Sequence, residues 1–177
     1  MTIATFTLVL SLTGVSMSLW NITYTQSDTN TIVSGCFSID FEDENPIILT
    51  NTYPISDVKG LTTAPYTFTL ENTCSLASYY YITLDIVDAT TNMALSKVKV
   101  NLDKGTSEIL GSLDENTDIS DPLGIRSSYI IGQGSLNSSA TKSHNLRIWV
   151  DELAGNDTMT KNLEARVTIV ANAVPDS

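Results

Sequence analysis

Residues 79–87 read Tyr-Tyr-Tyr-Ile-Thr-Leu-Asp-Ile-Val, a run rich in aromatic and β-branched side chains. Ile82, Leu84 and Ile86 fall on one face of this run, which is the period-two pattern of a strand with one buried face. The same alternation recurs along the chain, at Thr31 to Phe41, Tyr66 to Leu70, Leu95 to Leu102, Tyr129 to Ile131, Leu146 to Val150 and Leu163 to Val170. Seven or more such strands, separated by Gly, Pro, Asn and Asp, predict two antiparallel sheets packed as a sandwich.

Helical patterns are scarce in the same part of the chain. No amphipathic stretch of 12 or more residues follows residue 28. Asp114 to Gly124 is polar, contains Pro122 and predicts a long loop, and Leu153 to Lys161 has room for one short helical turn. The fold class is therefore all-β.

Composition excludes several functions. The chain has 177 residues, which suits one globular domain. It carries 9 Lys and Arg against 20 Asp and Glu, a net charge of -11, so nucleic acid is a poor partner because DNA and RNA binders need a basic surface. One His and two Cys are too few for a Cys–His zinc site. We expect no metal and no cofactor.

The first 27 residues differ from the rest, since Met1 to Ser27 contains no Asp, Glu, Lys, Arg or His. We divide the chain into an apolar N-terminal segment and linker, residues 1–27, and a β-sandwich domain, residues 28–177. Ile3 to Trp20 is an uncharged stretch of 18 residues, close to the ~20 that span a bilayer as a helix. A signal peptide, a retained anchor and a buried assembly element all fit, and Ser16-Met17-Ser18 is a passable cleavage site.

The sequence pattern alone does not decide whether this segment is a helix or a strand. Period-two alternation favours a strand, whereas its nearly all-round apolar surface favours a helix in a membrane or a packed bundle. We favour the helix over a donor strand. The side chains expected to carry assembly are Ile3, Phe6, Leu8, Leu10, Leu12, Val15, Met17, Leu19 and Trp20.

The two cysteines, Cys36 and Cys74, lie outside any C-x-x-C spacing, so metal and redox roles have little support. With an export-like N-terminus, a disulfide between them is the natural interpretation, because disulfides persist in oxidising compartments. The alternative is two free buried thiols in a reducing compartment.

Two stretches resemble the camelysin/TasA family. One is Gly14-Val-Ser-Met-Ser-Leu-Trp20 followed by a polar stretch and Asn30-Thr-Ile-Val-Ser-Gly-Cys-Phe-Ser-Ile39. The other is Pro65-Tyr-Thr-Phe-Thr-Leu-Glu-Asn72 followed by Ser75-Leu76, where Cys74 stands in place of the usual Gly. The resemblance covers roughly residues 14 to 90, and its motifs are short and degenerate.

This resemblance implies a jelly-roll or Ig-like sandwich, secretion, and assembly into extracellular fibres of a biofilm matrix. In such fibres an N-terminal strand of one subunit can complete the sheet of the next. The small-x-small triplet Ser16-Met17-Ser18 lacks the family's Ala. Further on, Leu146 to Glu152 and Ala154 to Asp157 resemble exported β-proteins of Gram-positive bacteria.

The uncharged N-terminus before a β-domain also resembles type IV and archaeal pilins, whose N-terminal helices bundle in the filament core. Bacterial members carry Glu at the fifth mature position, where this chain has Thr5. Archaeal-type pilins do not need it. Both resemblances imply a polymer, by different mechanisms.

Candidate catalytic and modification sites are few. His144 lies beside Ser143 and Asn145, and we predict a surface residue at a strand edge. Neither G-x-S-x-G nor H-E-x-x-H is present. Acidic residues cluster at 40–44, 114–121 and 151–157, and we interpret the three runs as solvated loops. Asn21, Asn137 and Asn156 begin N-x-[ST] sequons and could be glycosylated in a suitable host.

The sequence therefore favours a structural protein over an enzyme. We expect an exported subunit of an extracellular or cell-surface filament, a homopolymer held together by residues 3–20, which could also contact the membrane before assembly. The alternative is a membrane-anchored cell-surface β-sandwich that binds a glycan or a protein through its loops. The sequence names no small-molecule ligand.

Overall fold

The computed structural model describes residues 21–25, 31–34, 36–42, 46–103, 105–117 and 124–173. Strands dominate it, in the chain order β1 (Asn21–Thr25), β2 (Thr31–Ser34), β3 (Phe37–Phe41), β4 (Ile47–Thr50), β5 (Tyr66–Asn72), β6 (Ser78–Val87), β7 (Val98–Leu102), β8 (Glu108–Ile109), β9 (Ile125–Leu136), β10 (Ala140–Val150) and β11 (Asn162–Ala173). One short α-helix, Asp57–Gly60, and four 3-10 helices, Leu95–Lys97, Leu110–Ser112, Glu152–Ala154 and Asn156–Thr160, complete the described elements.

The strands form two antiparallel sheets that pack as a sandwich, which confirms the predicted fold class. The first sheet has the order β1-β11-β6-β9, with β4 also pairing with β11. The second sheet has the order β2-β3-β5-β10-β7-β8. Residues 21–25, which the sequence analysis placed in the N-terminal segment and linker, form the strand β1 at one margin of the first sheet.

Alternating side chains build the core between the sheets. Every second residue of β6 faces inward, and Ile82, Leu84 and Ile86 are completely buried. Burying a side chain of this size stabilises the folded state by about 1.5–3 kcal/mol before the entropy of ordering is subtracted. The period-two pattern of residues 79–87 thus does correspond to one strand with a buried face.

Some strands are longer or more divided than the sequence suggested. The apolar run from Thr31 to Phe41, predicted as one strand, is a hairpin in which Ser34 pairs with Phe37. β2 and β3 are therefore two antiparallel strands instead of one. Conversely, β9 extends well beyond the predicted Tyr129 to Ile131. The prediction was too short because the serines and glycines of this strand interrupt the apolar pattern, although they do not prevent strand pairing.

The connection from β4 to β5 crosses from the first sheet to the second. We call residues 51–65 the strap. It contains the helix Asp57–Gly60, which the sequence analysis did not predict because four residues show no helical period. The strap lies on the outer face of the second sheet, where the Ile55 N–H donates to the Val150 carbonyl at 3.0 Å and Ile55 forms a parallel bridge with Asp151.

Candidate functional site

The predicted assembly segment lies outside the described residues, and its point of attachment is described. Trp20 immediately precedes β1, whose Asn21 pairs with Asn172 and whose Thr25 pairs with Thr168. The apolar stretch from Ile3 to Trp20 therefore joins the domain at one margin of the first sheet, near the C-terminal end of β11.

Much of that outer face is buried although it points away from the core. Thr83 and Asp85 alternate with the core residues of β6, and both are buried. Thr168 and Val170 of β11 face the same way and are buried to a similar degree. An antiparallel sheet with a wet outer face would leave such positions exposed.

Asp85 is the centre of a polar cluster on this face. Its carboxylate accepts hydrogen bonds from the hydroxyls of Ser128 at 2.6 Å and Thr83 at 3.0 Å, and also from that of Thr168. These donors come from β9, β6 and β11, so the carboxylate links three neighbouring strands. The hydrogen bonds offset the cost of burying the group.

Beyond this cluster, toward Asn172, the outer face opens into a groove of about 530 Å³. Five residues on the outward-facing side of three strands line it: Tyr79 and Tyr81 of β6, Gln133 and Ser135 of β9, and Asn172 of β11. The register places Tyr79 between Ser135 and Asn172, and Tyr81 beside Gln133. Tyr79 is 60% exposed. We call this site the tyrosine groove.

Tyr80 and Gly134 form the floor of the groove and face inward. A Cβ added to Gly134 would come within 2.8 Å of the Tyr80 hydroxyl oxygen, so only glycine fits at this position without movement of Tyr80. The Tyr80 side chain is thus held between β9 and the core.

His144 lies behind this floor, and the prediction of a surface residue was wrong. The residue faces inward on β10 and is 3% exposed. Its Nδ1 donates to the Asp103 carboxylate at 2.6 Å, and its Nε2 accepts from the Tyr80 hydroxyl at 3.1 Å. The ring stacks on Phe68 with 5.4 Å between centroids, and the Lys142 ammonium lies 5.8 Å from the Tyr80 ring centre.

These contacts explain why the chain tolerates a buried imidazole. Both ring nitrogens are hydrogen-bonded, and Asp103 is itself fixed because its backbone and carboxylate pair with Asn145. Burial lowers the pKa of His144 below its ordinary value of 6.5, and the Asp103 carboxylate opposes part of this effect. A carboxylate, an imidazole and a hydroxyl follow one another as in a catalytic triad. Here they join the second sheet to the first, with the Tyr80 hydroxyl buried.

The opposite side of the molecule is closed by the strap. Trp149 faces outward on β10, yet it is 1% exposed because Gly60 lies against its indole ring. The Lys99 ammonium contacts the Asp57 carboxylate at 2.7 Å and Asp151 at 3.7 Å. The hydrogen bond to Asp57 raises the pKa of Lys99, and the bond from Lys99 lowers the pKa of Asp57.

Of the acidic residues in the three runs that the structure describes, some are exposed and one is buried, whereas Asp43, Glu44, Asp118 and Asp121 lie outside the described residues. Asp40, Glu42, Asp114 and Glu115 are exposed as predicted. Asp151, by contrast, is 8% exposed, because it lies beside Lys99 and accepts a hydrogen bond from the Leu153 N–H. Within the described part of the chain, no group of three or more His, Cys, Asp or Glu could hold a metal ion.

Cys36 and Cys74 are joined by a disulfide across a sequence separation of 38, which agrees with the sequence-based expectation. The bond links the turn before β3 to the residues after β5, two neighbours in the second sheet. Beside it, the buried Asn72 amide donates to the carbonyls of Leu76, Leu136 and Asn137. A disulfide is compatible with an extracellular protein.

Two of the three sequons have described side chains. Asn137 and Asn156 are both exposed. Thr158, the third residue of the sequon that begins at Asn156, is buried, and its hydroxyl donates to the Gly155 carbonyl at 2.9 Å. The side chain of Asn21 lies outside the described part of the structure.

Among the described residues no helix is long and apolar enough to span a membrane. No protein-family model, curated protein or solved structure matches the chain. The function is therefore argued from the residues and geometry above.

Proposed function

We propose that this protein is an exported structural subunit of an extracellular filament, and that residues 3–20 hold neighbouring subunits together. The proposal combines an uncharged, apolar segment with a small, cross-linked β-sandwich. Burying most of Ile3 to Trp20 against neighbours would remove roughly 1,500 Å² of surface from water, an amount typical of stable interfaces. At about 25 cal/mol per Å² the gross hydrophobic gain is large, and the cost of ordering the segment is subtracted from it.

The observation that carries the proposal is the attachment of this segment to β1 at the margin of the first sheet. A segment joined there can reach a neighbouring subunit while the sandwich stays intact. The outer face of the first sheet also has a buried part, at Thr83, Thr168 and Val170, which lies farther along β1 from this attachment point, toward Thr25. A contact between a segment of one subunit and a different surface of the next does not close on itself, and it generates an open helical filament.

The acidic composition fits this function. A net charge of -11 keeps free subunits apart in solution and opposes lateral association of filaments. The Cys36–Cys74 disulfide supports a domain that works in an oxidising environment.

The test is assembly of the full chain. We expect purified protein to form regular filaments in electron micrographs and to sediment as a polymer. Replacing three apolar residues of the segment together, Leu8→Ser, Leu10→Ser and Leu12→Ser, should leave monomers with an unchanged melting temperature, because the described sandwich does not contain these positions.

A matched control changes polar residues of the same stretch, Thr5→Ser, Thr7→Ser and Ser11→Thr, and should still polymerise. Polymers that survive the leucine replacements would contradict the proposal. A wild-type chain that stays monomeric and moves to the membrane fraction would instead support the anchored-domain alternative.

A further inference from the structure

We propose that the tyrosine groove is a binding site for a neutral carbohydrate. This inference does not depend on polymerisation, because all residues of the groove belong to the sandwich. It rests on the lining residues of the groove, on the lack of charged groups among them and on the preformed shape of the groove.

The composition of the groove matches the two kinds of surface on a sugar. Tyr79 and Tyr81 present aromatic rings to the groove, and an aromatic ring packs well against an apolar C–H face. Gln133 and Asn172 offer amide donors and acceptors, and Ser135 offers a hydroxyl. A sugar ring has C–H faces and a rim of hydroxyl groups, so it can use both kinds of contact at once.

The charge of the groove favours a neutral ligand. None of its lining residues carries a carboxylate, an ammonium or a guanidinium group, although the chain contains 20 acidic and 9 basic residues. An anionic polymer would find no cation among the lining residues and would be repelled by the net charge of -11. A cationic peptide would find no carboxylate in the lining to pair with.

The groove is also formed in advance of binding. Its volume of about 530 Å³ lies within the range of about 300–1,000 Å³ usual for small-molecule sites. Its side chains project from three paired strands, and the hydrogen bond from Tyr80 to His144 together with the close approach of Gly134 fixes the floor. A rigid site loses little conformational entropy when a ligand binds.

The experiment measures binding of three neutral hexasaccharides, cellohexaose, maltohexaose and chitohexaose, to the full chain by saturation-transfer NMR and calorimetry. We expect at least one to bind. Tyr79→Ala should weaken that binding at least tenfold, and Gln133→Ala should weaken it by a smaller factor. Because Tyr79 is mostly exposed, its replacement should leave the melting temperature unchanged.

Tyr53→Ala is the matched control, since Tyr53 is 66% exposed but lies in the strap on the other side of the molecule. Its binding should equal that of the wild type. The proposal is overturned if none of the three sugars binds at millimolar concentration, or if Tyr79→Ala and Tyr53→Ala bind equally well. It is also overturned if Tyr79→Ala abolishes filaments and leaves sugar binding intact, because the groove would then belong to a subunit contact.

Discussion

The outer faces of the two sheets are treated differently by the same chain. On the second sheet the strap covers the outward-facing Trp149, which is 1% exposed, whereas on the first sheet the outward-facing Tyr79 is 60% exposed beside an open groove. Both residues are large aromatics on long central strands. The second face is closed over its aromatic residue, whereas the first face, although buried around Asp85, is open at the tyrosine groove, where a ligand or a neighbouring subunit can make contact.

The largest expected effect contrasts these two aromatics directly. Trp149→Ala should destabilise the protein by about 3–5 kcal/mol, because it empties a packed space beneath the strap. Tyr79→Ala should change stability by less than about 0.5 kcal/mol, as is usual for exposed positions. Urea unfolding followed by circular dichroism measures both, and equal losses would show that the first face is as closed as the second.

The second effect concerns the Cys36–Cys74 disulfide of the second sheet, whose outer face the strap covers. Replacing both cysteines, Cys36→Ala and Cys74→Ala, should lower the free energy of unfolding by about 2–4 kcal/mol, mainly because the unfolded chain gains freedom. The wild type should show the same loss after reduction with dithiothreitol. A double variant as stable as the oxidised protein would mean that this disulfide contributes nothing to the free energy of unfolding.

The third effect tests how tightly the strap is seated. A Cβ at Gly60 would lie 2.4 Å from the indole of Trp149, so Gly60→Ala forces the strap outward. We expect a loss of about 1–3 kcal/mol, as for overpacked cores, with faster proteolysis of residues 51–65. Gly105→Ala is the control, since its nearest neighbour would be the Leu102 carbonyl oxygen at 3.4 Å. Similar behaviour of the two variants would argue against a tightly packed strap.

The smallest effect is a pH dependence at the junction of the two sheets. The pKa of His144 is lowered in the folded protein, so folding favours the neutral imidazole. Stability from this site is complete above pH 6.5, the ordinary value, and is lost as the pH falls below it. Asp103, Tyr80 and Lys142 are the titratable groups around the ring.

Melting temperatures at pH 7.5, 6.5 and 5.5 should therefore fall more steeply for the wild type than for His144→Gln, which has no proton to gain in this range. Parallel curves for the two proteins would assign the pH dependence to other groups. Sugar binding measured at the same three pH values would show whether the floor of the tyrosine groove responds to His144.

Local pattern was enough to predict the sandwich, because strand alternation is a property of neighbouring residues. The three apolar positions of β6 are buried as the period-two pattern requires. The same reasoning missed the division of residues 31–41 into two paired strands and the full length of β9. A turn inside an apolar run and a strand built from serine and glycine both lack a distinct periodic signal.

The candidate site was less accessible to sequence reasoning. Each residue of the groove is ordinary by itself, and only pairing of β6 with β9 and β11 brings Tyr79, Gln133 and Asn172 together. A cluster of three tyrosines was the one available signal, and it was absorbed into the strand pattern. His144 was placed at the surface because its partners, Asp103 and Tyr80, are 41 and 64 positions away in the chain.

By itself the sequence determined the fold class, the acidic composition and the uncharged apolar segment, and it favoured a disulfide between the two cysteines. These follow from composition and from contacts between residues that are close in the chain or have no alternative partner. The tertiary structure alone decided which outward-facing aromatics are covered, because the strap that covers Trp149 and the strands that flank Tyr79 are distant in sequence. Burial of a side chain on an outer face depends on what crosses over it, and that is fixed only when the whole chain folds.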